Sequence, residues 1–229
     1  ESISKLFDEL GILTVCDSVA GMFGEPLDLS NSKIDILCGG SQKALSAPPG
    51  LTMVWVSDRA FEAMQNRKTP IKAFYANLLF IKDYYENQWF PYTMPASDIM
   101  GLRVAIDNYL EDEDFQKRHK QLAKATRNAV EKAGLKLYLE SGYSNNVTVI
   151  EIPEGITEDE ILSGLRDEFG ILISGCFDVL KGKVVRIGHM GENANKEDLA
   201  QTLEALQKVL EARGIKLACN MRDEFLLAC

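Results

Sequence analysis

The sequence has few of the features that mark nucleic-acid-binding, disulfide-rich or metal-binding proteins. Its 229 residues contain 25 Lys and Arg against 34 Asp and Glu, which gives a formal net charge of −9. Because phosphate neutralisation needs clustered positive charge, this balance argues against nucleic acid as a partner. The five cysteines are scattered and form no CxxC pair. This pattern indicates reduced thiols in a cytoplasmic protein rather than a disulfide framework or a zinc site.

Long apolar runs are also missing. No run is long enough to span a bilayer and no signal-peptide pattern is present, so we expect no membrane partner. The apolar fraction of 46% and the charged fraction of 26% predict a globular protein with a substantial core. The sequence lacks an initiating methionine and enters directly into a helix-like pattern. We therefore expect it to be a fragment of a longer chain.

Two of the predicted strands lead into residues that can do chemistry. Strands are predicted over residues 12–15, 34–37 and 51–56, and the crossover segments between them favour a mixed, mostly parallel α/β sheet. Asp17 follows the first strand and Lys43 follows the second. In such a sheet ligands bind at the C-terminal ends of the strands, where both residues fall.

The rest of the chain divides into a helical part and a small α+β part. Helices are predicted over residues 3–10, from 57, and over 73–88, 96–110 and 113–133. Farther along, strands are predicted over 135–139, 147–153, 171–174 and 184–187, with helices over 158–169 and 196–213. The change of pattern near Gly134 predicts a large domain over 1–134, a small α+β domain over 135–217 and a tail over 218–229.

Lys43 lies between a run of small residues and a Pro-Pro-Gly turn. Small residues let a backbone approach a ligand closely, and a desolvated lysine can act as a nucleophilic amine. The alternative is an ordinary solvated lysine, which the flanking strands disfavour. Together with Asp17 and Arg186, the lysine suggests a pyridoxal-phosphate enzyme. That cofactor requires a lysine, an acid opposite its ring nitrogen, phosphate donors and a cation for the substrate carboxylate.

The other candidate residues each have a structural alternative. Asp17 can protonate a ring nitrogen or cap a turn, since Asp-Ser often forms turns. Arg186 lies in an apolar strand, where its guanidinium needs either a structural ion pair or a substrate carboxylate. Gln42 and Thr93 can donate to a phosphate, or they can form only turn-stabilising hydrogen bonds.

Four motifs occur in an order that one enzyme family shares. They are Asp17-Ser18-Val19, Gly40-Ser41-Gln42-Lys43-Ala44-Leu45 with Ala47-Pro48-Pro49-Gly50, Tyr92-Thr93-Met94-Pro95, and Arg186-Ile187-Gly188 with Met190-Gly191. From near Glu1 to about Arg213, the chain resembles a class V aminotransferase of the alanine–glyoxylate or serine–pyruvate type, of fold type I. The resemblance implies the C-terminal portion of the large domain followed by a small α+β domain.

The resemblance also implies roles for the candidate residues. Lys43 bonds to the aldehyde of pyridoxal phosphate, Asp17 contacts its pyridine nitrogen, and Gln42 contacts its phosphate. Arg186 binds the substrate carboxylate. Thr93 reaches the phosphate of the neighbouring subunit, which implies a homodimer. The tyrosine that accompanies this threonine in animal members falls at Phe90, and Tyr92 is expected to replace it.

The implied reaction moves an amino group from alanine or serine to glyoxylate or pyruvate. The family's N-terminal part, with its Gly-rich phosphate loop and its ring-stacking aromatic, has no counterpart in this sequence. Two alternatives stay open: a class V lyase or desulfurase, and a non-catalytic subunit that dimerises through residues 74–90. Desulfurase relatives commonly place a histidine before the lysine, where Gln42 stands here, and Cys176 is a weak candidate for sulfur transfer. We expect His119 to be solvated and His189 to be structural.

Overall fold

The computed structural model describes residues 2–229, which form two compact units. Glu1, the first residue of the predicted large domain, lies outside the described residues. Unit 1 comprises the chain up to Met22 together with Leu27–Lys43 and Ala47–Asn108. Unit 2 comprises Phe23–Pro26, Ala44–Ser46 and Tyr109–Cys229. No helix in residues 2–229 has both the length and the apolar character needed to cross a membrane.

Unit 1 contains a three-stranded mixed sheet. Its strands are β1 (Val15–Asp17), β2 (Ile36–Gly40) and β3 (Thr52–Val56), in the order β1-β2-β3. β2 runs parallel to β1 and antiparallel to β3, so the predicted mixed sheet is confirmed. The first strand begins later than predicted, and its last residue, Asp17, lies opposite Cys38 of β2.

A buried carboxylate joins three parts of unit 1. Asp35 is only 3% exposed and accepts hydrogen bonds from the Thr14 amide at 2.8 Å and the Ser57 hydroxyl at 3.0 Å. Arg59 grips the same carboxylate through Nε at 2.9 Å and Nη2 at 2.7 Å. The guanidinium lowers the pKa of Asp35 to about 2. This junction fixes the start of β1 against β2 and against the helix that follows Ser57.

The helices of unit 1 are α1 (Ser2–Glu9), α2 (Asp58–Gln65) and the greater part of α3 (Ala96–Glu111). The helix predicted over 73–88 is wrong. That segment holds a short 3₁₀ turn, Leu78–Ile81, which the Asn77 side chain caps by accepting from the Leu79 amide. Its aromatic rings pack on one another instead of forming the buried face of a helix.

Unit 2 is an antiparallel two-stranded sheet covered by helices. Its elements are α4 (Phe115–Lys132), β4 (Val147–Glu151), α5 (Glu158–Phe169), β5 (Val184–Gly188), α6 (Lys196–Ala212) and α7 (Met221–Ala228). β4 pairs with β5, and the core between sheet and helices is made mainly of Leu, Ile, Val and Ala side chains, with Met221 and Phe225 from α7. The strands predicted over 135–139 and 171–174 are reduced to single bridges, Leu137 to Ile150 and Ser174 to Arg186.

The compact units divide between Asn108 and Tyr109, whereas the sequence predicts a domain boundary near Gly134. The boundary between the units comes earlier because α4 packs against β4, α6 and α7 and so belongs to unit 2. The tail, which the sequence leaves unassigned, contains α7, and Phe225 on this helix is fully buried. The functional division into a cofactor domain and a small domain stays a prediction.

Both histidines are buried in unit 2, so the expectation that His119 is solvated is wrong. His119 Nδ1 donates to the Phe115 carbonyl at 2.7 Å, and its Nε2 accepts from the Gly191 amide at 2.8 Å. His189 Nδ1 donates to the Asn145 carbonyl at 3.0 Å, and its Nε2 accepts from the Thr148 hydroxyl at 2.8 Å. The Gly191 amide, which can only donate, requires the His119 ring to be neutral, and burial favours the neutral form of His189.

Acid should therefore destabilise unit 2 through these rings. Burial lowers the pKa of His119, and it lowers the pKa of His189 from 6.5 to about 4. Because the unfolded chain binds the proton more readily, the stabilisation is complete above about pH 6.5 and is lost as the pH falls towards 4. For His189 alone the loss amounts to about 3 kcal/mol.

Denaturant unfolding between pH 4.5 and 7.5 tests this expectation. Gln at position 189 can make both hydrogen bonds but cannot titrate in this range. His189→Gln should therefore flatten the acid limb of the stability profile, even if it lowers stability at pH 7.5. Parallel acid limbs for the variant and the parent would contradict the assignment.

Candidate functional site

Asp17 ends β1 with its carboxylate open to solvent. Its Oδ1 accepts a hydrogen bond from the Val19 amide at 3.0 Å, which orients the side chain beside the strand end. No cation within residues 2–229 forms an ion pair with it. The geometry is therefore compatible with both roles considered for Asp17, a turn cap and a partner for a ring nitrogen. It caps a turn, and it also presents a free carboxylate at the C-terminal end of a strand.

The lysine loop, residues 41–50, follows β2 directly. Ser41 is fully buried at its base, where its hydroxyl donates to the Pro48 carbonyl at 2.6 Å. Its amide donates to the Leu51 carbonyl at 3.1 Å, so both ends of the loop are tied together. Lys43 is half-buried in this loop, and its amine has no ion-pair partner within the described chain. The loop thus holds a free amine near the end of a strand.

The ends of β1 and β2 come together at Gly40. A Cβ at this position would lie 2.8 Å from Gln42 Oε1 and 3.3 Å from Val19 Cγ1. Glycine at this position leaves room for the Gln42 side chain to fold back towards the loop after β1. The structure brings Asp17, Gln42 and Lys43 to one edge of the sheet, as the strand pattern predicts.

Tyr92 and Thr93 lie shortly after residues 73–88 of unit 1, which we call the aromatic segment. The Tyr92 hydroxyl is 3.1 Å from the carbonyl oxygens of both Phe74 and Tyr75, and its ring stacks on Tyr75 at 4.5 Å between centroids. The hydroxyl proton is therefore used within the segment. Thr93 is exposed, and its hydroxyl has no hydrogen-bond partner among residues 2–229.

Arg186 lies in β5 of unit 2, and its guanidinium group contacts Gly175 and Phe177. Its Nε donates to the Gly175 carbonyl at 2.7 Å, and the Phe177 ring centroid lies 5.2 Å from the guanidinium carbon. No acidic side chain in residues 2–229 is within ion-pair distance of it. Within residues 2–229, Arg186 therefore forms no structural salt bridge. The terminal nitrogens keep their capacity for an oxygen ligand.

The side chains at the edge of the unit 1 sheet fit pyridoxal phosphate. The cofactor needs a carboxylate for its ring nitrogen, and Asp17 is a carboxylate that no cation within residues 2–229 neutralises. It needs an amine for its aldehyde, and the Lys43 amine has no ion-pair partner in that range. It needs polar donors for its phosphate, and the Gln42 side chain occupies the space at the same edge that the missing Cβ of Gly40 leaves open.

Comparison with known proteins points to one family. A family model described as aminotransferase class V matches residues 1–209. An uncharacterized aminotransferase of Methanocaldococcus jannaschii is 36% identical over 95% of this chain and 57% of its own length. An alanine–glyoxylate aminotransferase of Callithrix jacchus is 32% identical over 92% of this chain and 53% of its own length.

A solved structure supports the fold assignment. The crystal structure of pyridoxamine–pyruvate aminotransferase from Mesorhizobium loti is similar to this chain, with a TM-score of 0.94 and 31% identity. The match covers 99% of this chain and 59% of that one. It confirms the predicted α/β fold. The chain thus spans somewhat more than half the length of these relatives.

Proposed function

The chain belongs to the class V aminotransferases, and we propose that its protein is a pyridoxal-phosphate-dependent transaminase. Pyridoxal phosphate is the cofactor that membership of this family implies. The proposed reaction moves an amino group from a small amino acid, alanine or serine, to a small 2-oxo acid, glyoxylate or pyruvate. The joint position of Asp17, Gln42 and Lys43 at one sheet edge supports this proposal most strongly. The names of the relatives, which include alanine, glyoxylate and pyruvate, support the substrate class.

Three residues of unit 1 would carry the chemistry. When bound, pyridoxal phosphate supplies an electron-withdrawing ring that accepts electrons from a breaking Cα–H bond. The Lys43 amine would bond to the aldehyde and, once displaced by substrate, would move a proton from substrate Cα to cofactor C4′. Asp17 would hold a proton at the pyridine nitrogen. Gln42 would donate to the phosphate.

Further residues would bind substrate and complete the site. Arg186 would bind the substrate carboxylate through its two terminal nitrogens. Thr93, whose hydroxyl has no partner among the described residues, would donate to the phosphate in the neighbouring subunit of a homodimer. Tyr92 is the weaker candidate for such a contact, because its hydroxyl lies on two carbonyl oxygens. We also propose a cytoplasmic location, on the basis of the cysteine content.

The two alternatives have less support. A desulfurase would need a mobile cysteine, whereas the backbone amide of Cys176 donates to the Glu158 carboxylate at 3.2 Å. Gln42 also stands where a histidine is common in those relatives. A non-catalytic role would give no function to the Asp17 carboxylate and the Lys43 amine, neither of which has an ion-pair partner within residues 2–229.

Borohydride reduction of the cofactor-loaded protein tests the proposed function. A reducible carbon–nitrogen bond to the cofactor should be fixed by borohydride, and peptide mass spectrometry should find the phosphopyridoxyl group on Lys43. Lys33, an exposed lysine of the same unit, is the internal control and should remain unmodified. Labelling spread over several surface lysines, or absent from the Lys43 peptide, would refute the assignment.

A further inference from the structure

The guanidinium of Arg186 is held by a single loop, residues 175–182, which we call the arginine loop. Gly175 provides the carbonyl that accepts from Arg186 Nε at 2.7 Å, and Phe177 places its ring beside the guanidinium. The backbone of Arg186 is also paired with Ser174, through hydrogen bonds of 2.7 and 3.1 Å. The orientation of the guanidinium therefore depends on the position of this loop.

Glu158, the first residue of α5, ties the arginine loop together. Its Oε1 accepts from the Cys176 amide at 3.2 Å, and its Oε2 accepts from the Gly182 amide at 3.0 Å. One carboxylate thus bridges both ends of the loop. A Cβ at Gly175 would lie only 1.6 Å from Glu158 Oε1, so the loop can approach the carboxylate only because residue 175 is glycine.

We propose that Glu158 is a positioning residue for substrate binding, acting on Arg186 through the arginine loop. The proposal rests on the proposed function, in which Arg186 binds the substrate carboxylate. Glu158 does not contact the guanidinium itself. It holds the carbonyl of Gly175 and the ring of Phe177 in place, and these two groups hold the guanidinium.

The physical basis is the geometry of a guanidinium fork. With Nε engaged by a carbonyl, the two Nη groups remain for a bidentate contact with a carboxylate. A bidentate contact requires the plane of the fork to be fixed, because both N–H groups must point at the two oxygens at once. Preorganising this plane removes an ordering cost from substrate binding. Releasing the loop should therefore weaken binding of carboxylates selectively.

The test compares variants of the holoenzyme with a simple carboxylate as probe. Propionate carries the carboxylate of a small amino acid without its amine, so its inhibition constant against the amino donor reports on Arg186. Glu158→Gln keeps the size of the side chain but replaces one acceptor oxygen with an amide nitrogen. We expect it to raise the propionate inhibition constant about tenfold. We expect kcat to stay within about twofold of the parent value.

A matched control lies in the same turn of α5. Glu160 carries the same charge, but its carboxylate accepts from the Thr157 amide at 2.9 Å and does not touch the arginine loop. Glu160→Gln keeps an oxygen that can accept from the Thr157 amide in this capping box, so it should leave both the fold and the inhibition constant unchanged. Phe177→Ala, at a ring that is 72% exposed, should raise the constant about threefold without harming the fold.

The outcomes separate the two proposals. If Arg186→Leu leaves the propionate constant unchanged, the assigned role of Arg186 in the proposed function is wrong. If Arg186→Leu raises it and Glu158→Gln does not, only the positioning proposal is overturned. A Glu158→Gln variant that loses cofactor affinity in the same proportion as propionate affinity would also overturn it, since that indicates a general structural defect.

Discussion

Replacing Lys43 with alanine should lower turnover of the amino donor by about 10⁴-fold in the holoenzyme, the upper end of what a positioned general base contributes. The variant loses both the amine that bonds to the cofactor and the base that moves the Cα proton. Lys43 forms no ion pair with any described residue and is half-buried in a loop closed by Ser41, so truncation leaves no buried charge without a partner. The fold should therefore survive, with an unchanged circular dichroism spectrum.

Single-turnover absorbance with alanine as donor measures this effect, and two controls sharpen it. Lys33→Ala removes an exposed lysine of the same unit and should retain full activity. A small primary amine added to the Lys43→Ala variant should restore part of the rate, because it supplies the missing base in solution. A Lys43→Ala variant with a rate within tenfold of the parent would exclude the lysine from the chemistry.

The site residues that can be predicted from the sequence are those whose positions depend on their immediate neighbours along the chain. Asp17 and Lys43 each follow a short apolar strand, and the parallel pairing of β1 with β2 brings both strand ends to one edge. Gln42 is predicted because it neighbours the lysine. Its side chain lies in the space left by the missing Cβ of Gly40. Glycine residues in the sequence indicate that such space exists, but they do not show which side chain will fill it.

His119 shows why charged neighbours mislead. It lies between basic residues, which suggests a solvated side chain. Helical periodicity decides otherwise, because His119 shares the buried face of α4 with Phe115, Leu122 and Thr126 at spacings of four, three and seven residues. A helical projection of the predicted helix could have found this from sequence.

The structures of the aromatic segment and of the arginine loop could not be predicted from sequence, for a different reason. Residues 73–88 contain as many apolar side chains as an amphipathic helix would need, yet Gln88 adopts a left-handed conformation with φ of 47°. The rings satisfy one another locally, as the stacked pair of Tyr75 and Tyr92 shows. Glu158 was missed because its partners, Cys176 and Gly182, are 18 and 24 residues away, and no sequence pattern links a carboxylate to distant backbone amides.

Asp17→Asn should lower kcat by about 10³-fold, the scale expected when one preorganised electrostatic contact to developing charge is lost. Asparagine matches the shape of the side chain, and its Oδ1 can still accept from the Val19 amide. What disappears is the negative charge that would hold a proton at the pyridine nitrogen. The change should appear mainly in kcat rather than in the KM for the amino donor, because Asp17 has no proposed contact with the substrate carboxylate.

Asp28→Asn is the matched control for this charge removal. Asp28 is an exposed aspartate of the same unit, and its Oδ1 accepts from the Ser30 amide at 2.9 Å in an equivalent turn. It should therefore match Asp17→Asn in net charge, while kcat stays at the parent value. Because Asp28 also accepts from the Ser30 hydroxyl and the side-chain amide group of Asn31, Asp28→Asn should lose at least as much turn stability as Asp17→Asn. If both variants lost activity equally, or if Asp17→Asn kept kcat within tenfold, the carboxylate at the end of β1 would be a turn cap alone. A selective loss in Asp17→Asn would mean that its charge, rather than its turn, serves the reaction.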